Sequence, residues 1–217
     1  MIMRRLEWIV IACCIALVWA LAVLSDDKRG QALDELSLAW VCSQTQGWIG
    51  EVLLQTYRFS GVGFTGLLVA IAMAFLLLKR WWAELGLLVM ASGGILMIVD
   101  VVLKPMFGRS RPDEKLLSVD GKSFPSGHAA GSVAFYFALV AILGLHYPRL
   151  RQPLALLASL WIAMVWLGSL HVRAHWPSDL IAGGAVGLAW LTLCLACWRS
   201  MRNLRKYRAS GAHSTIP

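Results

Sequence analysis

The sequence predicts an all-α integral membrane protein. The expected architecture is a six-helix bundle with an additional interfacial amphipathic helix after the first span. Two observations carry that prediction. The chain is 59% hydrophobic and 15% charged, with a mean hydropathy of +0.67, whereas soluble domains are about a quarter charged. Its apolar residues also fall in long unbroken runs, unlike the roughly ten-residue alternating segments of a membrane barrel. Hydrocarbon permits just these two architectures, because every backbone polar group inside it must be satisfied within the protein.

A crossing helix needs about 20 apolar residues. Residues 6–24, 61–78, 85–103, 129–146, 154–170 and 180–197 qualify, which places both chain ends on one side. The tetrapeptide Val10-Ile11-Ala12-Cys13 has the look of a lipoprotein processing site, but the apolar run continues well beyond it, which favours a signal-anchor helix. Residues 26–59 start polar and then mix Trp40, Trp48, Leu and Val. They read as a loop followed by an amphipathic helix at the interface, with a weakly apolar seventh crossing as the alternative. Cys13, Cys14, Cys42, Cys194 and Cys197 show no ligand spacing with His, and four of them sit in apolar runs. Neither a disulfide framework nor a metal site is expected.

Lys and Arg placement sets the orientation. With the N-terminus inside, 11 of the 20 cations are cytoplasmic and 9 are outside. Six of those 9 lie between Lys104 and Lys122 or at Arg173, where an anion site is argued below, leaving 11 against 3. The expected arrangement is an inner (cell) membrane protein with cytoplasmic termini. The pI near 9.6 does not point to nucleic acid, since the cations sit in membrane loops and a short juxtamembrane tail that suits anionic head groups. One domain, residues 1–208, is expected, with a disordered tail over 209–217 and no obligate protein partner.

Three polar clusters interrupt the apolar pattern: KPMFGRSRP at 104–112, PSGH at 125–128 and HVRAHWPSD at 171–179. In a six-helix chain all three emerge on the same outer face. Lys104, Arg109 and Arg111 can hold phosphate oxygens, Arg as a fork and Lys as a point charge. Alternatively they are cations that snorkel at a helix end. Ser126, Gly127 and His128 open a helix, where unpaired N–H groups and a partial positive charge favour phosphate. Ser126 can cap that helix or donate its hydroxyl. Ala129, Ala130, Gly131 and Ser132 permit close helix packing. His175 and Asp179 are four apart, and a carboxylate beside an imidazole fixes its tautomer. Asp100, one turn before Lys104, reads as its structural partner. Two His, one Asp and several cations on one face suit metal-free phosphoryl transfer. One His attacks phosphorus and the other protonates the leaving oxygen.

This pattern resembles the type-2 phosphatidic acid phosphatase superfamily, the lipid phosphate phosphatases. The family's first motif, Lys, six residues, Arg-Pro, is met by Lys104 through Pro112, and the second, Pro-Ser-Gly-His, by residues 125–128. The third is Ser-Arg, five residues, His, three residues, Asp. Its second half is met by His175 and Asp179. The resemblance implies that His175 is the nucleophile, Asp179 its orienting carboxylate and His128 the general acid. It further implies that Lys104, Arg111, Ser126 and the Gly127 N–H bind phosphate, with no cofactor. One departure stands out: Gly168 and Ser169 occupy the Ser-Arg positions. Arg173, Arg109 and His171 are the candidates to replace that arginine. The implied function is a membrane phosphatase acting on the outer side. Its substrate would be a lipid-linked phosphate or diphosphate of the undecaprenyl diphosphate, phosphatidylglycerol phosphate, phosphatidic acid or lipid A type. The alternatives are a phosphotransferase using the same intermediate and a weakened lipid-phosphate-binding protein. A transporter is disfavoured, because the acids within the spans, Glu7 and Asp100, lie near their ends.

Overall fold

The computed structural model describes residues 3–211, with side chains through residue 203. The tail expected from residue 209 therefore lies, past Gly211, outside the described residues. Every described element is helical. In order they are α1 (Arg5–Asp26), α2 (Lys28–Gln44), α3 (Trp48–Phe59), α4 (Val62–Leu78) and α5 (Trp82–Leu96). A π-helical segment (Met97–Leu103) and the short α6 (Lys104–Phe107) continue α5; after a long loop come α7 (Gly127–His146), α8 (Arg151–His171) and α9 (Pro177–Gly211).

Five stretches are long and apolar enough to cross a membrane: Arg5–Asp26, Trp82–Phe107, Gly127–His146, Pro148–His171 and Pro177–Asn203. α3 and α4, bent by 57° at their junction, pass the same test as a pair, as a broken span or a re-entrant loop. The expected crossing at 61–78 is a 17-residue helix, α4. At one end of the bundle Glu7 pairs with Arg199 at 2.5 Å, so the start of α1 and the end of α9 lie together. Glu84 meets His146 there too, at 3.4 Å. The three motif clusters occupy the opposite end.

Residues 26–59 depart from expectation. The polar first part is a helix, α2, and not a loop. Asp27 caps it, accepting from the Arg29 N–H at 3.1 Å. Its buried positions are Gly30, Asp34, Leu38 and Cys42, one every fourth residue. That single face docks on α8 and α9. Gly47, with φ of +64°, reverses the chain in a conformation that L side chains avoid. α3 then packs on α8. Leu33, Leu36, Trp40, Trp48 and Val52 stay exposed on the far side, which is the amphipathic character the sequence showed.

α7 sits at the centre, against α5, α8 and α9. Ala129, Ala130, Ala134 and Ala138 are fully buried on it. Small residues let helix backbones approach closely where lipid offers no hydrophobic drive for association. A Cβ at Gly183 would lie 2.4 Å from the Ser126 carbonyl oxygen, and one at Gly187 2.5 Å from that of Ala130. We expect Gly183→Ala to force α9 off α7 and cost about 2 kcal/mol, the usual range for overpacking. Gly131→Ala, which meets nothing within 4 Å, should leave the melting temperature in detergent unchanged or slightly raised.

Candidate active site

The first cluster is aimed by a local irregularity. The π segment Met97–Leu103 runs directly into Lys104, and π turns recur at functional sites. Lys104 Nζ donates to Asp100 Oδ1 at 2.6 Å, the structural pairing expected from sequence. Gly108, at φ +64°, ends α6 in the left-handed conformation and releases the chain toward Arg109 and Arg111.

Ser126 is fully buried, and its Oγ accepts from the Ala129 N–H at 3.3 Å. The Oγ thus caps α7, a role that does not exclude donation by the same hydroxyl. The Ser126 N–H donates to the Asp179 carbonyl at 3.0 Å, which joins the starts of α7 and α9. A Cβ placed on Gly127 would stand 3.7 Å from Lys104 Nζ. The ammonium group therefore lies at the open N-terminus of α7.

His175 lies in the loop before α9 and is 1% exposed. Its Nδ1 lies 3.0 Å from the Ser123 carbonyl oxygen and 3.5 Å from Asp179 Oδ2. A carbonyl can accept but not donate, so the proton belongs on Nδ1 and the lone pair on Nε2. Arg111 Nη1 stands 3.2 Å from that Nε2 and donates to the Ala174 carbonyl at 2.6 Å. Burial holds the His175 imidazole below its ordinary range, against a smaller upward pull from Asp179. Burial also lowers the Arg111 guanidinium, opposed by Tyr57, Asp179, Asp120 and Asp100. The His128 ring centroid is 6.2 Å from that of His175.

Asp179 is fully buried. Oδ2 accepts from the Trp176 N–H at 2.8 Å, and Oδ1 from Arg109 Nη1 at 2.7 Å. Arg109 Nη2 reaches on to Asp34 Oδ2 at 2.7 Å. Asp34 also accepts from the Ser178 N–H at 3.0 Å and from its hydroxyl at 2.5 Å.

The structure thus gathers Lys104, Arg111, Gly127, His128, His175 and Asp179 around one spot. Of the three substitute cations, Arg109 reaches it only through Asp179, and His171 and Arg173 are engaged elsewhere. Arg109 is committed to Asp34 and Asp179. His171 Nδ1 faces the Thr45 hydroxyl at 2.9 Å. Arg173 pairs with Glu114 at 2.5 Å. Three participants were missed from sequence: the Ser123 carbonyl, Asp34 and Tyr57, whose ring stacks on His128 at 5.0 Å. Asp34 carried a faint signal, as an acid within the four-residue buried repeat of α2. Among the described residues no three His, Cys, Asp or Glu side chains converge as metal ligands would.

The PAP2 superfamily model matches residues 67–203. The chain belongs to the PAP2 superfamily. All three motif clusters lie inside that PAP2 region, whereas Asp34 and Tyr57 precede it. A lipid A 1-phosphatase of Rhizobium johnstonii is 38% identical over 108 residues, covering 44% of this chain and 40% of that protein. One from Rhizobium etli is 37% identical over 108 residues, covering 44% and 42%. The chain therefore spans about two fifths of the length of these curated relatives. In fold it is similar to the crystal structure of a transmembrane PAP2-type phosphatidylglycerolphosphate phosphatase from Bacillus subtilis. The TM-score is 0.81 at 22% identity, over 88% of this chain and 96% of that one. This PAP2 chain is a multi-pass membrane protein.

Removing one partner of a buried ion pair leaves an uncompensated charge and costs about 3 to 5 kcal/mol. Asp34→Ala should therefore lower the melting temperature in detergent markedly, while alanine at the exposed neighbour Glu35 should not.

Proposed function

We propose that this chain is a membrane phosphatase that hydrolyses a lipid-linked phosphate through a phosphohistidine on His175. The observation that carries this reading is the state of the imidazole. Its Nδ1–H is tied to Ser123 and Asp179, and its unprotonated Nε2 accepts from Arg111 Nη1 at 3.2 Å, a contact that an arriving phosphate oxygen would take over. That is how a His becomes a nucleophile. A phosphoryl group drawn in by Arg111, Lys104 and the N-terminus of α7 would sit between the two imidazoles.

The Nε2 lone pair attacks phosphorus, and the bond from phosphorus to the lipid oxygen breaks. His128, protonated beside the anionic phosphate, gives its proton to that oxygen. Neutral His128 then takes a proton from water, whose oxygen attacks phosphorus and breaks the N–P bond. Inorganic phosphate leaves, and both imidazoles return to their starting states. Arg111, Lys104 and the Gly127 N–H hold the charge on the equatorial oxygens in both steps. Asp179 stabilises the cationic ring while the N–P bond exists.

Motif clusters at the ends of the candidate spans would lie near head-group depth, which supports a lipid substrate. Among the classes named above, the lipid A type is favoured by the identity to two lipid A 1-phosphatases. Cation placement supports an inner-membrane location with cytoplasmic termini and the site on the outer face. Ser169 is the observation that favours the second reading, a weakened lipid-phosphate-binding protein.

Phosphate release from lipid monoesters and diphosphates in detergent tests these readings. Release should persist in EDTA and fall by at least about a thousandfold in His175→Ala, because the covalent step is then lost. Wild-type release that is no faster than in this variant would favour the binding protein. A second expectation concerns pH. Attack needs neutral His175, so kcat/KM falls as pH drops through its pKa. Burial lowers that pKa from 6.5, so the acid limb should fall below 6.5; a limb above it would count against His175 as the nucleophile.

A further inference from the structure

Beside the two imidazoles one buried polar group lacks a partner. Tyr57 on α3 is 7% exposed, and its hydroxyl makes no hydrogen bond among the described residues. Nor is that oxygen sealed in protein. The fully enclosed orphan atoms among the described residues are Ser92 Oγ, Trp166 Nε1 and Trp198 Nε1. The ring of Tyr57 stacks on His128, with 5.0 Å between centroids and 29° between planes. The stack sets the phenol beside the His128 imidazole, at the edge of the site where His128 faces His175.

What admits Tyr57 is the departure at the third motif. A Cβ at Gly168 would lie 2.8 Å from the Leu53 carbonyl oxygen and 3.4 Å from Tyr57 Cβ. Ser169, next to it, is fully buried and turns its hydroxyl back to the Val165 carbonyl at 2.8 Å. The close approach at Gly168 lets α3 press against α8 and seats Tyr57 one residue from the position that lacks the arginine.

We propose that Tyr57 is a substrate-contacting residue whose hydroxyl donates a hydrogen bond to a non-bridging phosphate oxygen held by Arg111, in place of the contact that position 169 cannot make. This rests on the phosphate-ester reading above. A phenol is a neutral donor near pH 7, and a donor pre-aimed at an oxyanion in a dry site is worth far more than in water. Hydrogen bonds to ionised acceptors are the strong class.

The test compares full-length wild type with Tyr57→Phe, which deletes the hydroxyl and keeps the stacked ring. Three quantities are read: kcat/KM on a lipid phosphate monoester, inhibition by orthovanadate, and the melting temperature with and without orthovanadate. With no partner lost inside the protein, the variant should melt with the wild type. Its kcat/KM should fall about tenfold to a hundredfold, as for loss of a hydrogen bond to a charged group, and vanadate should bind more weakly by a similar factor. Unchanged kcat/KM and vanadate inhibition would overturn the proposal and leave Tyr57 as packing. A wild type that hydrolyses no ester would instead overturn the catalytic reading. The melting arm then still decides: a vanadate shift lost in Tyr57→Phe supports the contact. An equal shift in both proteins, or none in the wild type, overturns it. If Tyr57→Phe melts early, Tyr57→Trp, which keeps an aromatic ring on His128, must restore the melting temperature without restoring vanadate binding.

Discussion

Two carboxylates buried within reach of one guanidinium hold this end of the molecule together. Asp179 is fully enclosed, and Asp34 and Arg109 have 8% and 11% of their side chains exposed. Burying either carboxylate without a cation would be unfavourable, because charge is costly to take out of water. Arg109 answers both at 2.7 Å. Through it α2, the loop after α6 and the start of α9 become one unit. The His175 ring depends on the same arrangement, since Asp179 is free to face it only while Arg109 compensates its charge.

Close helix contact then sets the spacing of the chemistry. α7 and α9 meet through Gly183 and Gly187, and the Ser126 N–H bonded to the Asp179 carbonyl brings their two N-termini level. Each terminus carries partial positive charge, so two dipoles converge where a phosphate would rest. The cations of the first motif add to a field the backbone already provides.

Most of the architecture was legible because membrane helices advertise themselves. Length and hydropathy located the spans, and the order of the motifs placed Lys104, Arg111, His128, His175 and Asp179 on one face. Residues 26–59 were not legible in the same way. α2 is nearly neutral in hydropathy and is stabilised by a cap at Asp27 and by docking, neither of which shows as a run. Asp34 and Tyr57 reach the site through tertiary contact alone, and no spacing relates them to the motifs. Arg109 illustrates the opposite limit. Its position suggested phosphate, but Asp179 and the unforeseen Asp34 claim its guanidinium. Sequence cannot distinguish a cation that meets a ligand from one that meets a buried carboxylate.

The boundary of the matched family region has a further consequence. Residues 67–203 contain every motif, while the helices that cover the site arrive from the chain ahead of it. Motif clusters and cover are therefore written in separate stretches, joined where Asp34 meets Arg109 and Ser178, where Thr45 meets His171, and where α3 meets Gly168 and His128. A change in the cover at any of these joints reaches the motif clusters directly.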